Sequence, residues 1–299
     1  MWPDDPKLHR AALDLYGAVW PHVPPGIERA RAMGADWFRV STPFTVPESD
    51  GDRLLAHAGV ITCRWTLDGQ PLEVAAVHGV CVHPDHRGRG LCRRVMEEAL
   101  DHIDRSGAVT TILWSEKVDL YRKFGFEPTP ESVFVGPAPK PEPVRAFPLD
   151  LEDPDHQRRL QRALDHRAPV SKRLAAADAG EHFFIDLALW DEARQFLVAL
   201  PDHDAVAVCE VEGPLMRLYD VLGPRIPSAG ALVGAAETAF DTTVERLEVY
   251  FTPDHLLDLG CPLGLEPCPH PIEDILMVRG RPLEQPSMGP FALSPFTRT

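Results

Sequence analysis

"CVHPDHRGRGLCRRVMEEAL", residues 81–100, gathers four arginines and two glycines around a short turn. The apolar run "LEVAAVHGV" (72–80) leads into it, with the composition of a strand. Leu91, Val95, Leu100 and Ile103 follow at helical spacing. A strand that enters a glycine-rich loop and reopens as a helix makes an anion site. The glycines let the backbone approach, successive N–H groups point into the loop, and the helix dipole adds positive potential. Arg87, Arg89, Arg93 and Arg94 add full charges. The pattern contains neither GxGxxG nor GxxxxGK[ST], so neither a dinucleotide-binding βαβ unit nor a P-loop is indicated. Spacing alone leaves two readings, a phosphate-binding loop or a basic start to a surface helix.

Upstream of the loop, Leu8, Ala12, Leu15 and Val19 recur at helical spacing, and a short helix is expected from Gly26 to Met33. Three strand-like runs follow: "WFRVSTPFTV" (37–46), "AHAGVITCRWTL" (56–67) and "LEVAAVHGVCV" (72–82). "DGQ" at 68–70 is the hairpin turn between the last two. Downstream, the helix runs to about Ser106. "VTTILWS" (109–115) predicts a buried strand, "KVDLYRKFG" a short helix closed by Gly125, and "SVFVG" (132–136) a last strand. "GPAPKPEPVRAFP" (136–148) has five prolines and predicts an extended linker.

The order then recurs. "PLMRLYDVLGP" (214–224) predicts a strand, "SAGALVGAAETAF" (228–240) a helix and "VERLEVYF" (244–251) a strand. "TPDHLLDLG" predicts a short helix ending in glycine, and "EDILMV" (273–278) a strand. Pro84–Gly125 and Pro224–Gly260 span similar distances, as in a diverged internal duplication. The expected architecture is α/β (α+β), with a domain at 1–136, a linker at 137–149 and a second domain at 150–299.

The formal net charge of −15 over 299 residues argues against a nucleic-acid binder. It suits a cationic substrate, or simply keeps the protein in solution. Six cysteines contain no CxxC pair. Cys63, Cys81 and Cys209 lie in apolar stretches as free thiols, and Cys261, Cys268 and His270 fit no zinc spacing, so no metal is expected. No apolar run reaches membrane-spanning length and the N-terminus is no signal peptide. The expectation is a cytoplasmic protein with no membrane partner.

"VHGVCVHPDHRGRGLCRRVM" resembles the acetyl-CoA motif of the GCN5-related N-acetyltransferases (GNAT). That motif is arginine or glutamine, two residues, glycine, one residue, then a small residue. Arg87 and Gly90 match, and Cys92 takes the last position. "LYRKFGFEP" (120–128) resembles the second family signature, a tyrosine four residues before Gly-Phe. The resemblance covers about residues 5–136, and the second half weakly. It implies two GNAT-like domains in tandem, each a mixed, splayed sheet whose middle strands part for the pantetheine arm, the second degenerate. The "HRGRG" loop is similar to that of the enhanced intracellular survival acetyltransferases. Those also join two such domains but add a sterol-carrier-like domain, for which this chain is too short.

The resemblance implies acetyl-CoA as cosubstrate. Backbone N–H groups of Gly88, Arg89, Gly90, Leu91 and Cys92, with Arg87, would receive its pyrophosphate. Val80, Cys81 and Val82 would hold the pantetheine amides and supply an oxyanion donor. Tyr121, by its place in the signature, would protonate the departing thiolate. The base is open. His78, in "HGVCVH" (78–83), is a candidate, and Val80 and Val82 are expected on its side of the pleat. A hydrogen-bonded core histidine is an equal reading, and Glu73 or water are alternatives. The loop 42–53 would flank the acceptor, a small-molecule or peptidyl amine, where Glu48, Asp50 and Asp52 could attract a cation; a solvated turn is the other reading of that run. Leu256 falls where Tyr121 stands, so the second half lacks this equipment. The rival reading is a non-catalytic acyl-CoA-binding regulatory or scaffold protein.

Overall fold

The computed structural model describes residues 5–49, 51–177, 180–190, 196–258, 264–271, 274–281, 283 and 289–298. Asp50, Gly260, Cys261 and Glu273 lie outside the described residues.

The first half opens with α1 (Pro6–Val19), α2 (Val23–Ala32) and α3 (Trp37–Val40), followed by β1 (Thr42–Pro47), β2 (Leu54–Leu67) and β3 (Gln70–Val82). After the loop come α4 (Leu91–Ser106), β4 (Thr110–Ser115), α5 (Val118–Arg122), β5 (Glu127–Pro128) and β6 (Ser132–Pro137). The second half contains β7 (Phe147–Pro148), α6 (Pro154–Asp165), β8 (Leu174–Ala176), α7 (Gly180–Leu189), β9 (Leu197–Leu200) and β10 (Ala205–Glu212). It ends with β11 (Leu215–Leu222), α8 (Ala229–Phe240), β12 (Arg246–Val249), α9 (Asp254–Asp258), β13 (Glu266–Pro269) and β14 (Ile275–Gly280).

Local chemistry accounts for the helix starts. The Asp5 carboxylate accepts from the Lys7 and Leu8 N–H groups and caps α1, which buries Ala11, Ala12, Leu15 and Tyr16. The strand expected over 37–46 begins only at Thr42. Asp36 caps a helical turn by accepting from the Phe38 N–H, and that turn buries both Trp37 and Phe38. Consecutive strand residues would face opposite sides of a sheet, so a strand could not bury this pair on one side.

Among the described residues, two seven-stranded mixed sheets result. The first runs β1-β2-β3-β4-β14-β5, with β8 also paired to β2; the second runs β13-β6-β12-β11-β10-β9-β7. Each contains a strand–helix–strand crossover with parallel strands, β3-α4-β4 in the first and β11-α8-β12 in the second. The protein is thus an α/β fold of two mixed sheets in tandem, flanked by helices.

Sheet membership departs from the expected division at 136 and 150. β6, read from sequence as the last strand of the first half, lies in the second sheet between β12 and β13. β14, read as a strand of the second half, lies in the first sheet between β4 and β5. The exchange is reciprocal and uses equivalent slots, each beside the strand that follows the crossover helix. A strand pattern reports that one face is buried but not against which sheet, because backbone pairing is indifferent to the sequence that supplies it.

The proline-rich segment is no free tether. Ala138 N–H donates to Glu245 O at 2.9 Å and Glu142 N–H to Gly230 O at 3.0 Å. A Cβ on Gly234 would stand 2.0 Å from Glu142 O, so α8 is glycine there because the segment crosses it in backbone contact.

Candidate functional site

The site grows from the place where β3 and β4 separate. Their pairing covers only Val74–Thr110, Ala75–Thr111 and Ala76–Ile112. Beyond it the strands diverge, and Val77–Val82 and Leu113–Ser115 line a cleft of about 1200 Å³. The peptide groups on that edge of β3 have no neighbouring strand to pair with, so hydrogen-bonding capacity is left for a ligand.

The arginine–glycine loop forms one end of the cleft. Gly88 and Gly90 have φ of +75° and +76°, left-handed values at which a side chain would be strained. Gly90 occupies the cap position of α4 and provides no side-chain cap. The first bond of the helix runs from Arg94 N–H to Gly90 O, at 3.1 Å. The N–H groups of Leu91, Cys92 and Arg93 therefore precede the helical ladder, at the positive end of a sixteen-residue helix. Arg87, Gly88, Gly90, Leu91 and Cys92 line the cleft. Arg89 is not among its lining residues, and its guanidinium donates to Asp85 O at 3.4 Å.

Tyr121 reaches the cleft from α5. It is buried, edge-on to Phe126 with ring centroids 6.2 Å apart. Burial, followed by the nearby Cys92, Cys81 and Asp274, pushes its pKa up and keeps the phenol protonated. Burial likewise raises the Cys81 thiol to about 12, so neither group ionises near neutrality.

His78 lines the cleft too, but on the opposite face of the sheet from Val80 and Val82, which corrects the expected shared side. His57 pairs with Cys81 and Gly59 with His78, so β3 carries one extra residue between these positions. Gly79, at φ +58°, forms this bulge and reverses the alternation. Val80 and Val82 pack toward Val95 and Met96 of α4. Cys81 packs with Tyr16 and Trp37 on the other side.

There the His78 Nε2 lies 2.7 Å from Ser41 Oγ, and its ring meets Trp37 edge-on at 4.7 Å. Its Nδ1 is buried and has no hydrogen-bond partner among the described residues. Burial, then His57 and His182, hold the His78 pKa well below the usual histidine value, so the ring is neutral at pH 7. A Cβ on Gly59 would come within 2.2 Å of His78 Nε2, so the adjacent strand makes room for the ring. His57, behind it, contacts Tyr16 Oη at 3.1 Å and Gly79 O at 2.9 Å, and burial lowers it to about 4.

Several lining residues carried no sequence signal. Trp20, Trp37 and Trp114 come from three separate elements, and Asp274 reaches the cleft only because β14 crosses into the first sheet. Glu73 does not line the cleft, nor do Glu48 and Asp52; Glu48 receives Arg53 at 3.5 Å. Among the described residues, no three His, Cys, Asp or Glu side chains converge as a metal site, and no helix is long and apolar enough to cross a membrane.

The corresponding opening in the second half is filled. Pairing of β11 with β12 stops at Leu218–Val249. Beyond it Asp220 is buried, bound by Arg167 Nη2 at 2.8 Å and Ser294 Oγ at 2.6 Å. Tyr219, Tyr250 and Phe296 pack together around it, with Tyr219 and Tyr250 4.9 Å apart. At the start of α8, the carboxylate of Glu142 accepts from the capping Ser228 Oγ at 2.6 Å, so an anion of the chain itself sits at that helix end.

Residues 7–129 match the family model described as an acetyltransferase (GNAT) domain. A mycothiol acetyltransferase of Cellulomonas flavigena is 35% identical over 141 residues, covering 41% of this chain and 39% of that protein. An uncharacterized N-acetyltransferase of Methanocaldococcus jannaschii is 30% identical over 70 residues, covering 22% of this chain and 31% of that protein. The matches thus span well under half the length of these curated relatives. Among solved structures, Eis1 from Mycobacterium abscessus superposes with a TM-score of 0.60 at 17% identity, over 94% of this chain and 72% of that one. A probable N-acyltransferase from Enterococcus faecalis does so with a TM-score of 0.58 at 13% identity, over 91% and 70%. At these identities the likeness is one of fold.

Proposed function

We propose that this protein, whose residues 7–129 match a GNAT acetyltransferase domain, transfers an acetyl group from acetyl-CoA to a primary amine, in a ternary complex within the β3–β4 cleft. The observation that supports this most is one continuous cleft that joins an uncapped α4 N-terminus to Tyr121 and His78. The pyrophosphate fits the Gly88–Cys92 amides with Arg87 beside them, and the pantetheine arm fits the open edge of β3 at Val80–Val82. Arg89 is left to the rim.

The amine nitrogen attacks the thioester carbonyl carbon, and the oxyanion that forms takes a hydrogen bond from a β3 backbone N–H. Collapse breaks the C–S bond. The leaving thiolate takes the Tyr121 proton, which burial has kept in place at neutral pH. The proton shed by the attacking nitrogen passes to His78 Nδ1, the ring nitrogen that Ser41 leaves open. The filled opening of the second half supports a scaffolding role for that half and one cosubstrate site per chain.

The test is an amine panel with purified protein and acetyl-CoA, following free thiol release and the acetylated product. Acetyl-CoA binding without transfer to any amine would replace this reading with that of an acyl-CoA-binding regulator.

A further inference from the structure

On the face of the sheet away from α4, rings follow one another into the cleft. Trp20, half-buried at the end of α1, meets Tyr16 with centroids 6.5 Å apart. Tyr16 meets Trp37 at 6.5 Å, edge-on, and Trp37 meets His78 at 4.7 Å. Trp114 of β4 lines the same cleft across the parted strands. Its orientation is fixed from behind: the indole N–H donates to Glu131 Oε2 at 3.0 Å, and Glu131 is itself held by Arg298 at 3.1 Å. The wall is therefore prebuilt.

Resting on the acetyltransferase reading, we propose that this face is the acceptor mouth and that the acceptor is an amine whose non-reacting part is a planar, apolar ring. Two observations carry this. The α4 face is occupied by the cosubstrate in that reading, so the acceptor must arrive from the other side, where His78 stands. The wall it then meets is aromatic, and its rings offer a further ring both apolar area and quadrupole contact. The rim position, Trp20, is flanked in the cleft by Val19 and Val23, with the exposed His22 between them and open water. A bound ring would be desolvated at Trp20 while its amine reaches toward His78 Nδ1.

The experiment compares phenethylamine, n-hexylamine and hexamethylenediamine as acceptors, on wild type and on Trp20→Leu. It adds calorimetric binding of phenethylamine to the CoA-loaded protein as a readout independent of turnover. The expected result is a kcat/KM for phenethylamine about tenfold above that for hexylamine, a ratio that falls toward one in Trp20→Leu. The KM for acetyl-CoA should stay the same in that variant, which a merely unfolded mouth would not allow. Binding of phenethylamine that depends on Trp20, without turnover of any amine, would uphold the aromatic mouth and sink the acetyltransferase reading. Equal efficiency for the two monoamines, a preference for the diamine, or a phenethylamine preference untouched by Trp20→Leu would overturn the inference.

Discussion

The Oγ of Ser41 lies 2.7 Å from Nε2 of His78, and this contact decides which nitrogen of the ring is left for the proposed proton transfer. Nδ1 has no hydrogen-bond partner among the described residues, and the ring stays neutral well below the usual histidine range. Because the folded pKa is lowered, a rate limb set by His78 lies on the acid side of pH 6.5; above that pH the base is fully available. Any limb at higher pH should follow the pKa of the acceptor amine. His78→Gln should lower kcat by about 100-fold and abolish the acid limb. Ser41→Ala, which frees Nε2 and lets the ring turn, should lower kcat and move the limb without changing the KM for acetyl-CoA. Rate–pH profiles with two amines of different pKa check both, and an unmoved limb in both variants would remove His78 from the proton path.

Tyr121→Phe deletes the phenolic proton and keeps the ring that packs on Phe126. Turnover should fall about 100-fold or more, while acetyl-CoA affinity and thermal midpoint stay close to wild type. Steady-state kinetics beside calorimetry separate the two quantities.

Calorimetric titration with acetyl-CoA should give one site per chain, because the second opening is filled by Asp220, Tyr219, Tyr250 and Phe296. Arg87→Glu should weaken binding by about 1.5–3 kcal/mol, the range for a hydrogen bond to a charged group. Arg89→Glu should weaken it less, since Arg89 bonds to Asp85 O outside the cleft lining. The order of the two affinities is the measurement.

Stability should fall as the pH drops from about 6.5 toward 4. His57 is fully buried and lowered to about 4, and His270 is lowered to about 4 as well. In the unfolded chain these rings protonate near 6.5. The unfolded state therefore binds more protons in that window, and acid favours it. For His57 the difference amounts to about 3 kcal/mol. Urea titrations at pH 7 and pH 4.5 should show the loss, and His57→Gln should flatten it.

Gly59→Ala tests the packing behind the candidate base. The new Cβ would fall 2.2 Å from His78 Nε2 and 2.7 Å from Ser41 Oγ. Relief requires the His78 ring to leave its place, so activity should collapse along with a destabilisation of about 1–3 kcal/mol. Thermal melts and kcat measured on the same preparation check the pair of effects.

Residues close together in sequence determined a good part of this protein. Gly88 and Gly90 before the Leu91–Ile103 periodicity specify a strand, an uncapped loop and a helix, because left-handed φ and helical spacing are properties of the local chain. The place of Tyr121 ahead of Gly125 was equally readable, since its helix is short and its stop signal is adjacent. Tertiary structure decided the rest. The bulge at Gly79 moved His78 to the face opposite Val80, because an extra residue in one strand is defined only against its partner. The reciprocal exchange of β6 and β14 put Asp274 into the cleft, and the rings of Trp20, Trp37 and Trp114 met there from three separate elements. Whether an opening between parallel strands stays open was also a long-range matter. The first remains a cleft and the second is filled, because Ser294 and Phe296 return from far along the chain to pack on Asp220 and Tyr219. Such contacts cost chain entropy that only the assembled core repays, so no local pattern announces them.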